Sequence, residues 1–314
     1  MEAIRCQGLT KHYGRIVGLD SLDLDVEEGV VFGFLGPNGA GKTTTLKILT
    51  GLSIPTGGRA WVAGEEVTPN SFPLQSKIGY LPEEPAFYNW MTGAEYLSFV
   101  ADVFRLPREE SKKRCQELLE LVDLEEAGAR RVSGYSRGMR QRLGIAQALV
   151  NKPQVLFLDE PTSALDPLGR AEVLETIKRL KAQATTVFLS SHILGDVERV
   201  CDVVGIIDKG RLVIESRVDE LRQRFSHSLF EVEFEEAARS FMAVLESLPW
   251  VDRVDVEEGS GDSKLTVLAG DVARAKHELP KLIAESGLTL RQYRMAMPSL
   301  EDVFIELMAG KGDE

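Results

Sequence analysis

The residues best suited to chemistry form a glycine-rich loop near the start of the chain. The stretch GPNGAGKTT fits the pattern GxxxxGK[ST] in full and lies between an apolar run and the helix-prone segment TTLKILT. Glycines let successive backbone N–H groups turn toward a phosphate, and a helix N-terminus adds favourable partial charge. The expected nucleotide contacts here are Gly36, Pro37, Asn38, Gly39, Ala40, Gly41, Lys42, Thr43 and Thr44. Among them, Lys42 should reach the β- and γ-phosphates, and the Thr43 hydroxyl should bind Mg²⁺.

Acidic and imidazole side chains follow two other apolar runs and complete a hydrolytic site. VLFLDE ends in Asp159, which can hold Mg²⁺ through water, and in Glu160, which can orient and deprotonate an attacking water. His192 follows the run TVFLSS, so its imidazole should lie at the carboxyl end of a sheet, within reach of a γ-phosphate. Together with the loop, these residues predict ATP hydrolysis, with Glu160 and His192 as the catalytic side chains.

Four short apolar runs predict the sheet that must position these side chains. They are Val30 to Leu35, Val155 to Asp159, Thr186 to Ser191 and Val203 to Asp208. Runs of this kind are typical of strands buried on both faces, and helical patterns separate them, which favours a mainly parallel sheet covered by helices. Residues 1 to about 28 alternate apolar and polar positions instead, as exposed antiparallel strands do.

Two further regions complete the predicted fold, which is α/β with a P-loop NTPase core. Residues 85 to about 130 contain no buried-strand run and read as helices, so we expect a helical subdomain over about 85–150, inserted into the core. Beyond residue 220 a new pattern of strands and helices begins, in the order βαββαβ, and a last amphipathic helix follows it. That order predicts a small α+β ferredoxin-like domain at 221–314, after an ATP-binding domain at 1–220.

Composition excludes several classes of protein. A chain of 314 residues is comfortable for two domains, and 43% hydrophobic with 27% charged residues excludes disordered and fibrous proteins. The net charge of −12 disfavours a nucleic-acid-coating protein, and three cysteines without CxxC spacing favour a reducing compartment over a zinc site or disulfide framework. No signal peptide and no run of roughly 18 apolar residues is present, so we expect another polypeptide to supply any membrane span.

Together these motifs resemble the ATP-binding subunit of an ABC transporter over residues 1 to about 220. GPNGAGKTT resembles the family's Walker A, FLDEPTSALDP its Walker B and D-loop, and SSH its switch histidine. The resemblance implies ATP and Mg²⁺ as cofactors and makes Tyr13, in KHYG, the aromatic that stacks on adenine. It also implies that Asp166 contacts a second subunit, although from the residues alone Asp166 fits equally well as the cap of a helix that starts at Pro167.

The chain departs from the family pattern at the Q-loop. The family's glutamine aligns in IGYLPEEP with Glu83. A glutamate keeps an oxygen ligand for the metal, so the predicted metal ligands are Thr43, Glu83 and Asp159. It also adds a negative charge near the phosphates, which should weaken ATP affinity or change the geometry at the metal.

The signature LSGGQ is the second departure, in the stretch VSGYSRGMRQR. Both VSGYS and YSRGM could align with it, and we favour YSRGM because RQR and LGIAQALV then fall at the family's distance. Ser136 becomes a helix N-cap, Gly138 lies in the first turn, and Arg137 replaces the first glycine. The family solution is a head-to-tail dimer in which Walker A of one subunit and Ser136 and Gly138 of the other enclose each ATP. Arg140 and Arg142 we interpret as structural.

These features predict an ATPase subunit of an ABC transporter that works with a separate transmembrane permease. The expected partners are that permease and a second ATPase subunit, identical or paralogous, without nucleic acid. The subunit should lie at the cytoplasmic face of the cell membrane and touch the membrane only through the permease. The stretch FYNWMTGAEYLSF fits an aromatic docking surface for that permease, and an ordinary amphipathic core face explains it nearly as well. The tail resembles the C-terminal extension of export-type subunits, which favours export, and we expect it to stabilise the dimer.

Two other classes remain as alternatives. A soluble ABC ATPase acting on nucleic acid or ribosomes would be expected to carry a second cassette, a long coiled coil or a zinc module, none of which the sequence contains. A P-loop kinase would have no use for Ser136, Glu160 and His192 together.

Overall fold

The computed structural model describes residues 2–68, 71–225, 229–259, 261–296 and 299–309. The chain forms two compact units, Met1–Arg217 and Val218–Glu314. The predicted domain boundary after residue 220 falls inside a helix, Val218–Phe225, that belongs to the second unit. None of the helices in the described ranges combines the length and the apolar character that a bilayer crossing requires.

The first unit contains two sheets, seven α-helices and one short 3-10 helix, Val132–Gly134, within the described ranges. Its strands are β1 (Glu2–Tyr13), β2 (Ile16–Glu27), β3 (Val31–Leu35), β4 (Gly57–Val62), β5 (Glu65–Glu66), β6 (Ile78–Leu81), β7 (Val155–Asp159), β8 (Thr186–Ser191), β9 (Val203–Asp208) and β10 (Arg211–Arg217). Its helices are α1 (Lys42–Leu49), α2 (Phe72–Lys77), α3 (Gly93–Val103), α4 (Arg108–Leu121), α5 (Arg137–Ala148), α6 (Pro167–Ala182) and α7 (Leu194–Val200).

The central sheet has the strand order β10-β9-β3-β8-β7-β6. All its neighbouring pairs are parallel except β9 with β10. Every residue of β3, β7 and β8 is buried, as the continuous apolar runs predicted. Since β3, β6, β7 and β8 run in one direction, the loops that follow them meet at one edge of the sheet. That edge carries the glycine-rich loop, Glu83, the Asp159–Glu160 pair and His192.

The second sheet of this unit is antiparallel, in the order β2-β1-β4-β5. In β2 the buried Leu22, Leu24 and Val26 alternate with exposed Asp23 and Asp25, as a strand with one solvated face requires. The buried face forms a core with Phe32, Phe34, Phe157 and Phe188 of the central sheet. This packing places the end of β1, and therefore Tyr13, beside the glycine-rich loop.

The helical region between β6 and β7 is formed by α3, α4 and α5. A capping box starts α3, in which Thr92 and Glu95 satisfy each other's backbone N–H groups. The C-terminus of α4 is bound by an arginine: Arg142 of α5 is buried and donates to the carbonyls of Val122 and Asp123 at 2.7 and 2.9 Å. The same guanidinium lies 3.1 Å from Glu172 on α6, so the interpretation of Arg142 as structural agrees with its contacts.

The second unit is an antiparallel sheet with helices packed on it. Its elements are α8 (Val218–Phe225), β11 (Leu229–Phe234), α9 (Arg239–Glu246), β12 (Val251–Glu258), β13 (Ser263–Ala269), α10 (Val272–Glu285), β14 (Leu290–Met295) and α11 (Leu300–Ala309). The strand order β12-β13-β11-β14 is that of a ferredoxin-like fold, with every neighbouring pair antiparallel. A core that includes Phe230, Val232, Phe234, Leu265 and Leu279 closes it.

The three cysteines are Cys6, Cys115 and Cys201, and all are buried and free. Burial raises the pKa of the Cys6 thiol to about 12, so it stays protonated at neutral pH. The sequence interpretation of these residues as buried thiols, outside any disulfide framework, is confirmed.

Candidate active site

The carboxyl-terminal edge of the central sheet forms a cleft of about 390 Å³. The cleft draws residues from five segments far apart in the sequence: the end of β1 with the start of β2, the glycine-rich loop, and the segments that follow β6, β7 and β8. The residues that line it are Tyr13, Ile16, Val17, Gly18, Asn38, Gly39, Gly41, Lys42, Thr43, Thr44, Glu83, Glu160, Ser163 and His192.

The glycine-rich loop has a backbone path that side chains would block. Gly39 and Gly41 have φ angles of 82° and 115°, in the left-handed region that favours glycine. A Cβ atom on Gly41 would lie 2.6 Å from the carbonyl oxygen of Gly18, and one on Gly36 would lie 2.3 Å from that of Ile207. Helix α1 begins at Lys42, directly after Gly41. Gly41 is its N-cap and has no side chain that could bond to the first N–H groups of the helix. The first N–H groups of α1 can therefore bind an anion.

Glu160 lies between a lysine and a histidine. One carboxylate oxygen, Oε1, is 3.3 Å from Lys42 Nζ, and the other, Oε2, is 2.8 Å from His192 Nδ1. Lys42 also donates to the carbonyls of Gly36 and Pro37 at 2.8 and 3.3 Å. Lys42 and Glu160 are both buried, so their attraction is weakly screened by solvent.

The backbone of Glu160 is strained, with φ at 47°. Its N–H donates to the carbonyl and the hydroxyl of Ser190 at 3.2 and 3.1 Å, which ties the end of β7 to β8. Left-handed backbone in a residue with a long side chain is uncommon and concentrates at functional sites. Here it turns the Glu160 side chain toward Lys42 and His192.

Asp159 is bonded to a hydroxyl on each side. Ser190 Oγ donates to its Oδ1 at 2.6 Å, and Thr43 Oγ1 to the same oxygen at 3.3 Å. Burial raises the pKa of Asp159, and the two hydroxyl hydrogen bonds offset only part of that effect. Burial likewise raises the pKa of the neighbouring Tyr80 to about 12, with a contribution from the charge on Asp159. A buried carboxylate of this kind is stabilised by a cation.

The oxygen donors at this edge fit Mg²⁺. Thr43 and Asp159 are in contact, and Glu83 lines the same cleft. In the part of the chain that the structure describes, no group of three or more acidic, histidine or cysteine side chains could hold a metal ion by itself. This donor set suits Mg²⁺, which commonly binds one or two carboxylates and completes its shell with water and substrate phosphates.

Tyr13 lies at the mouth of the cleft and is 46% exposed. Lys11 Nζ is 5.0 Å from the centre of its ring, and a Cβ on Gly18 would come within 3.1 Å of the ring edge. Ile16 and Val17 beside it are also exposed, although they are apolar. Sequence reasoning missed Ile16, Val17, Gly18 and Ser163 as cleft residues. The sequence does carry a signal for Ile16 and Val17. They are two consecutive apolar residues at the start of a strand that otherwise alternates apolar and polar residues.

Ser136, Gly138 and Asp166 do not line the cleft but meet where the N-termini of α5 and α6 touch. Ser136 caps α5 by accepting from the Met139 N–H at 3.2 Å, and Asp166 caps α6 by accepting from the Gly169 N–H at 3.0 Å. A Cβ on Gly138 would lie 3.2 Å from Gly169 Cα, so these two helices approach closely. Arg137 is exposed on the same side. The predicted site residues therefore fall into two groups on one chain.

Comparison with known proteins gives matches over both units. The ABC transporter family profile matches residues 19–163, and the profile of the DrrA1-3-like ATP-binding protein C-terminal domain matches 217–308. The chain is 38% identical over 302 residues to the uncharacterized ABC transporter ATP-binding protein YxlF of Bacillus subtilis (strain 168), covering 96% of this chain and 98% of YxlF. It is 35% identical over 311 residues to the bacitracin transport ATP-binding protein BcrA of Enterococcus faecalis, covering 98% and 97%.

Solved structures agree with the fold. One is the dimeric post-hydrolysis state of the ATP-binding cassette MJ0796 bound to ADP and Pi, which matches with a TM-score of 0.61 at 25% identity. The match covers 68% of this chain and 98% of that chain. A structure described as the ATP-binding subunit of an ABC transporter matches with a TM-score of 0.63 at 30% identity, over 71% of this chain and 93% of that chain.

Proposed function

Since this chain belongs to the family of ABC transporter ATP-binding proteins, we propose that it is the ATP-hydrolysing subunit of an exporter and acts on a separate transmembrane permease. The observation that carries the proposal is the arrangement around Glu160. A carboxylate in contact with both Lys42 and His192, at the edge where the glycine-rich loop lies, is equipped to hydrolyse a bound nucleotide.

ATP occupies the cleft in one orientation. The adenine stacks on Tyr13 near the apolar Ile16 and Val17, and the phosphates lie on the N–H groups of the loop and of α1. Lys42 then moves from the carbonyls of Gly36 and Pro37 to the β- and γ-phosphates. Thr43, Asp159 and Glu83 would hold Mg²⁺ together with the phosphates, and the ion would supply neutralisation of the charge that develops during transfer.

Hydrolysis uses Glu160 as the general base. A water molecule attacks the γ-phosphorus and loses a proton to the Glu160 carboxylate while the bond to the β–γ bridging oxygen breaks, which yields ADP and phosphate. His192 Nδ1 contacts Glu160 Oε2 at 2.8 Å and orients that carboxylate. The other imidazole nitrogen is free to reach the γ-phosphate.

The second half of each site comes from another ATPase subunit, identical or paralogous. Ser136 and Gly138 form the N-terminal turn of α5, which suits a γ-phosphate, but they lie outside the cleft of their own chain. The dimeric state of the similar cassette MJ0796 supports a pair of ATPase subunits, which we propose to be arranged head to tail. In such a pair each ATP lies between Lys42 of one subunit and Ser136 of the other, with Asp166 at the shared interface.

A test of the site is Glu160→Gln, which keeps the shape of the side chain and removes the base. We expect ATP turnover to fall by at least about a hundredfold and ATP to convert the monomer into a stable dimer, because the sandwich closes and cannot hydrolyse. Turnover is measured as phosphate release and dimerisation by light scattering with size exclusion. The control is Glu175→Gln, which changes an exposed carboxylate on α6 and should behave as wild type. A variant that binds ATP but stays monomeric at all concentrations would contradict the head-to-tail dimer.

An aromatic surface on the helical region supports a permease partner. Tyr88, Trp90 and Phe99 are exposed by 50, 66 and 39%, and Tyr88 lies within ring contact of both other side chains. Exposed aromatic clusters of this kind mark protein interfaces. The subunit then lies at the cytoplasmic face of the cell membrane and contacts the membrane through the permease alone. The similar BcrA is named a bacitracin transport protein, which supports a role in transport. Our proposal of export rests on the C-terminal unit, which resembles the extension of export-type subunits and matches the DrrA1-3-like C-terminal domain.

The partner is tested by co-purification of the full chain from membranes. We expect a membrane protein to purify with the wild-type chain and Trp90→Ala to lose most of it, because a central exposed aromatic commonly carries a large share of binding energy. Phe72→Ala, which removes an even more exposed aromatic from α2, is the matched control. Equal recovery from both variants would argue against this surface, and recovery of ribosomes or nucleic acid instead would favour the soluble alternative.

A further inference from the structure

A buried carboxylate on α7 connects the segments that carry Glu160, Asp166 and His192. Asp196 is 2% exposed. Its Oδ2 accepts from the Thr162 hydroxyl at 2.6 Å, and its Oδ1 accepts from Arg170 Nε at 2.5 Å. Neither sequence reasoning nor the mechanism above assigns Asp196 a role.

The positions of the two donors give this contact its importance. Thr162 is two residues after Glu160, and Arg170 is four residues after Asp166. Asp196 itself is four residues after His192, on the helix that begins just beyond the histidine. The carboxylate therefore joins the base, the helix expected to face the second subunit, and the histidine expected to contact the γ-phosphate.

The contact is one that the folded chain does not break at low cost. Thr162 is also buried, and Asp196 has one hydrogen-bond donor on each carboxylate oxygen. Removing either donor leaves a buried charge with an incomplete set of partners, which is strongly unfavourable. The three segments are consequently held in one arrangement.

We propose that Asp196 is a positioning residue for ATP hydrolysis, which sets the geometry of the Glu160–His192 pair relative to α6. The inference rests on the proposed function, because it requires Glu160 to be the base and α6 to face the second subunit. The first turn of α6 also touches α5, where Gly169 lies against Gly138. Through Arg170, Asp196 thus connects the cleft of its own chain to the half-site offered to the partner.

The first test is Asp196→Asn in the full chain. The amide keeps the shape but loses the charge, and it can accept from only one of the two donors. We expect kcat to fall by at least about tenfold, because a small misplacement of a catalytic group has a large effect on rate. The Kd of the monomer for ATP, measured at protein concentrations below dimerisation, should stay within about twofold, since the groups of that chain expected to bind phosphate are not in contact with Asp196. This separation of kcat from Kd is the result that a general loss of stability would not produce.

A matched pair of substitutions at Thr162 tests the same contact, so that the conclusion does not depend on Asp196→Asn being stably folded. Thr162→Val removes the hydroxyl donor at nearly constant shape and should lower kcat as Asp196→Asn does, whereas Thr162→Ser retains the donor and should restore most of it. Asp202→Asn is the control for stability. Asp202 accepts from the Val31 N–H at 3.0 Å and pairs with Lys181 at 2.8 Å, away from the cleft. It should lower Tm but leave kcat unchanged.

Two outcomes would overturn the inference. One is a wild-type kcat in Asp196→Asn and Thr162→Val, and the other is an equal loss of kcat in Asp202→Asn at a similar Tm. A wild-type chain that binds ATP but does not hydrolyse it would contradict the proposed function instead. In that case dimerisation still tests the part of the inference that concerns α6: adding Asp196→Asn to Glu160→Gln should raise the dissociation constant of the ATP-dependent dimer by about tenfold, and an unchanged dimer affinity would overturn it.

Discussion

At the scale of single residues, Glu160, the base of the proposed hydrolysis, is held by contacts on both carboxylate oxygens. Its two oxygens contact Lys42 and His192, and its strained backbone is fixed by Ser190. Entry of a triphosphate offers Lys42 a stronger partner than a carbonyl or a single carboxylate, so binding should release Glu160 from the lysine while His192 keeps it oriented. Substrate binding would therefore release the Glu160 carboxylate from Lys42 while His192 holds it in its catalytic orientation.

Glu83 allows a prediction at the same scale, because it adds a third carboxylate to a cleft edge that already carries Asp159 and Glu160. Glu83→Gln should tighten ATP binding in the absence of metal by about two- to fivefold, since one repulsive charge near the phosphates is removed. With Mg²⁺ present the increase in ATP affinity should be smaller, because the variant then also lacks the carboxylate that we propose as a metal ligand. Calorimetric titration of ATP with EDTA and with Mg²⁺ measures both values.

The control for Glu83 is its neighbour. Glu84→Gln changes the same charge one residue further on, at a side chain outside the described lining of the cleft, and should alter both affinities much less. If Glu84→Gln gave the same metal-free gain as Glu83→Gln, the effect would be one of net charge and Glu83 would not be the residue that faces the phosphates.

At the scale of elements, the close contact of α5 with α6 gives Gly138 a packing role. Gly138→Ala would place a methyl group 3.2 Å from the backbone of Gly169. Alanine gains about 0.5–1 kcal/mol over glycine in a helix interior, but overpacking against a neighbouring backbone costs about 1–3 kcal/mol. Since neither backbone can move away independently, we expect a net destabilisation of about 1 kcal/mol in urea unfolding.

Gly195→Ala is the matched helical glycine for that measurement. Gly195 lies in α7, and a Cβ added there would have no other atom of the described residues within 4 Å. The substitution should therefore leave the free energy of unfolding unchanged or raise it slightly. A Gly138→Ala chain of unchanged stability that no longer forms the ATP-dependent dimer would assign Gly138 to phosphate contact alone. A loss of both would show that the glycine serves packing and the half-site together.

At the scale of the whole molecule, every residue that lines the cleft belongs to the first unit, Met1–Arg217. A chain that ends after Arg217 should therefore bind ATP within about twofold of the full chain, because a compact unit with its own core can fold alone. Equilibrium binding of a fluorescent ATP analogue measures this affinity. If the second unit stabilises the dimer, as we expect from the sequence, the truncated Glu160→Gln chain should dimerise more weakly than the full-length one. Loss of ATP affinity in a truncated chain that still unfolds cooperatively would contradict this division of roles.

Much of the core could be predicted from local pattern. The strands β3, β7, β8 and β9 carry continuous apolar runs, and their buried positions agree with the prediction almost residue for residue. Other strands were missed. β6 has only four residues and contains a glycine, and most residues of β4 and β10 are exposed or half-buried, so none carries the continuous buried run of a central strand. Pairing with a neighbouring strand decides such segments, and pairing depends on the rest of the fold.

The sequence by itself determined the chemistry: a phosphate loop, an Asp-Glu pair and a histidine, each at the end of an apolar run, are local features that spacing reveals. Only the tertiary structure decided which of these side chains touch. The contact of Glu160 with both Lys42 and His192, the crosslink at Asp196 and the meeting of Gly138 with Gly169 join residues far apart in the chain. The physical reason is that strand order and helix packing set such distances, and both follow from burial of the whole core.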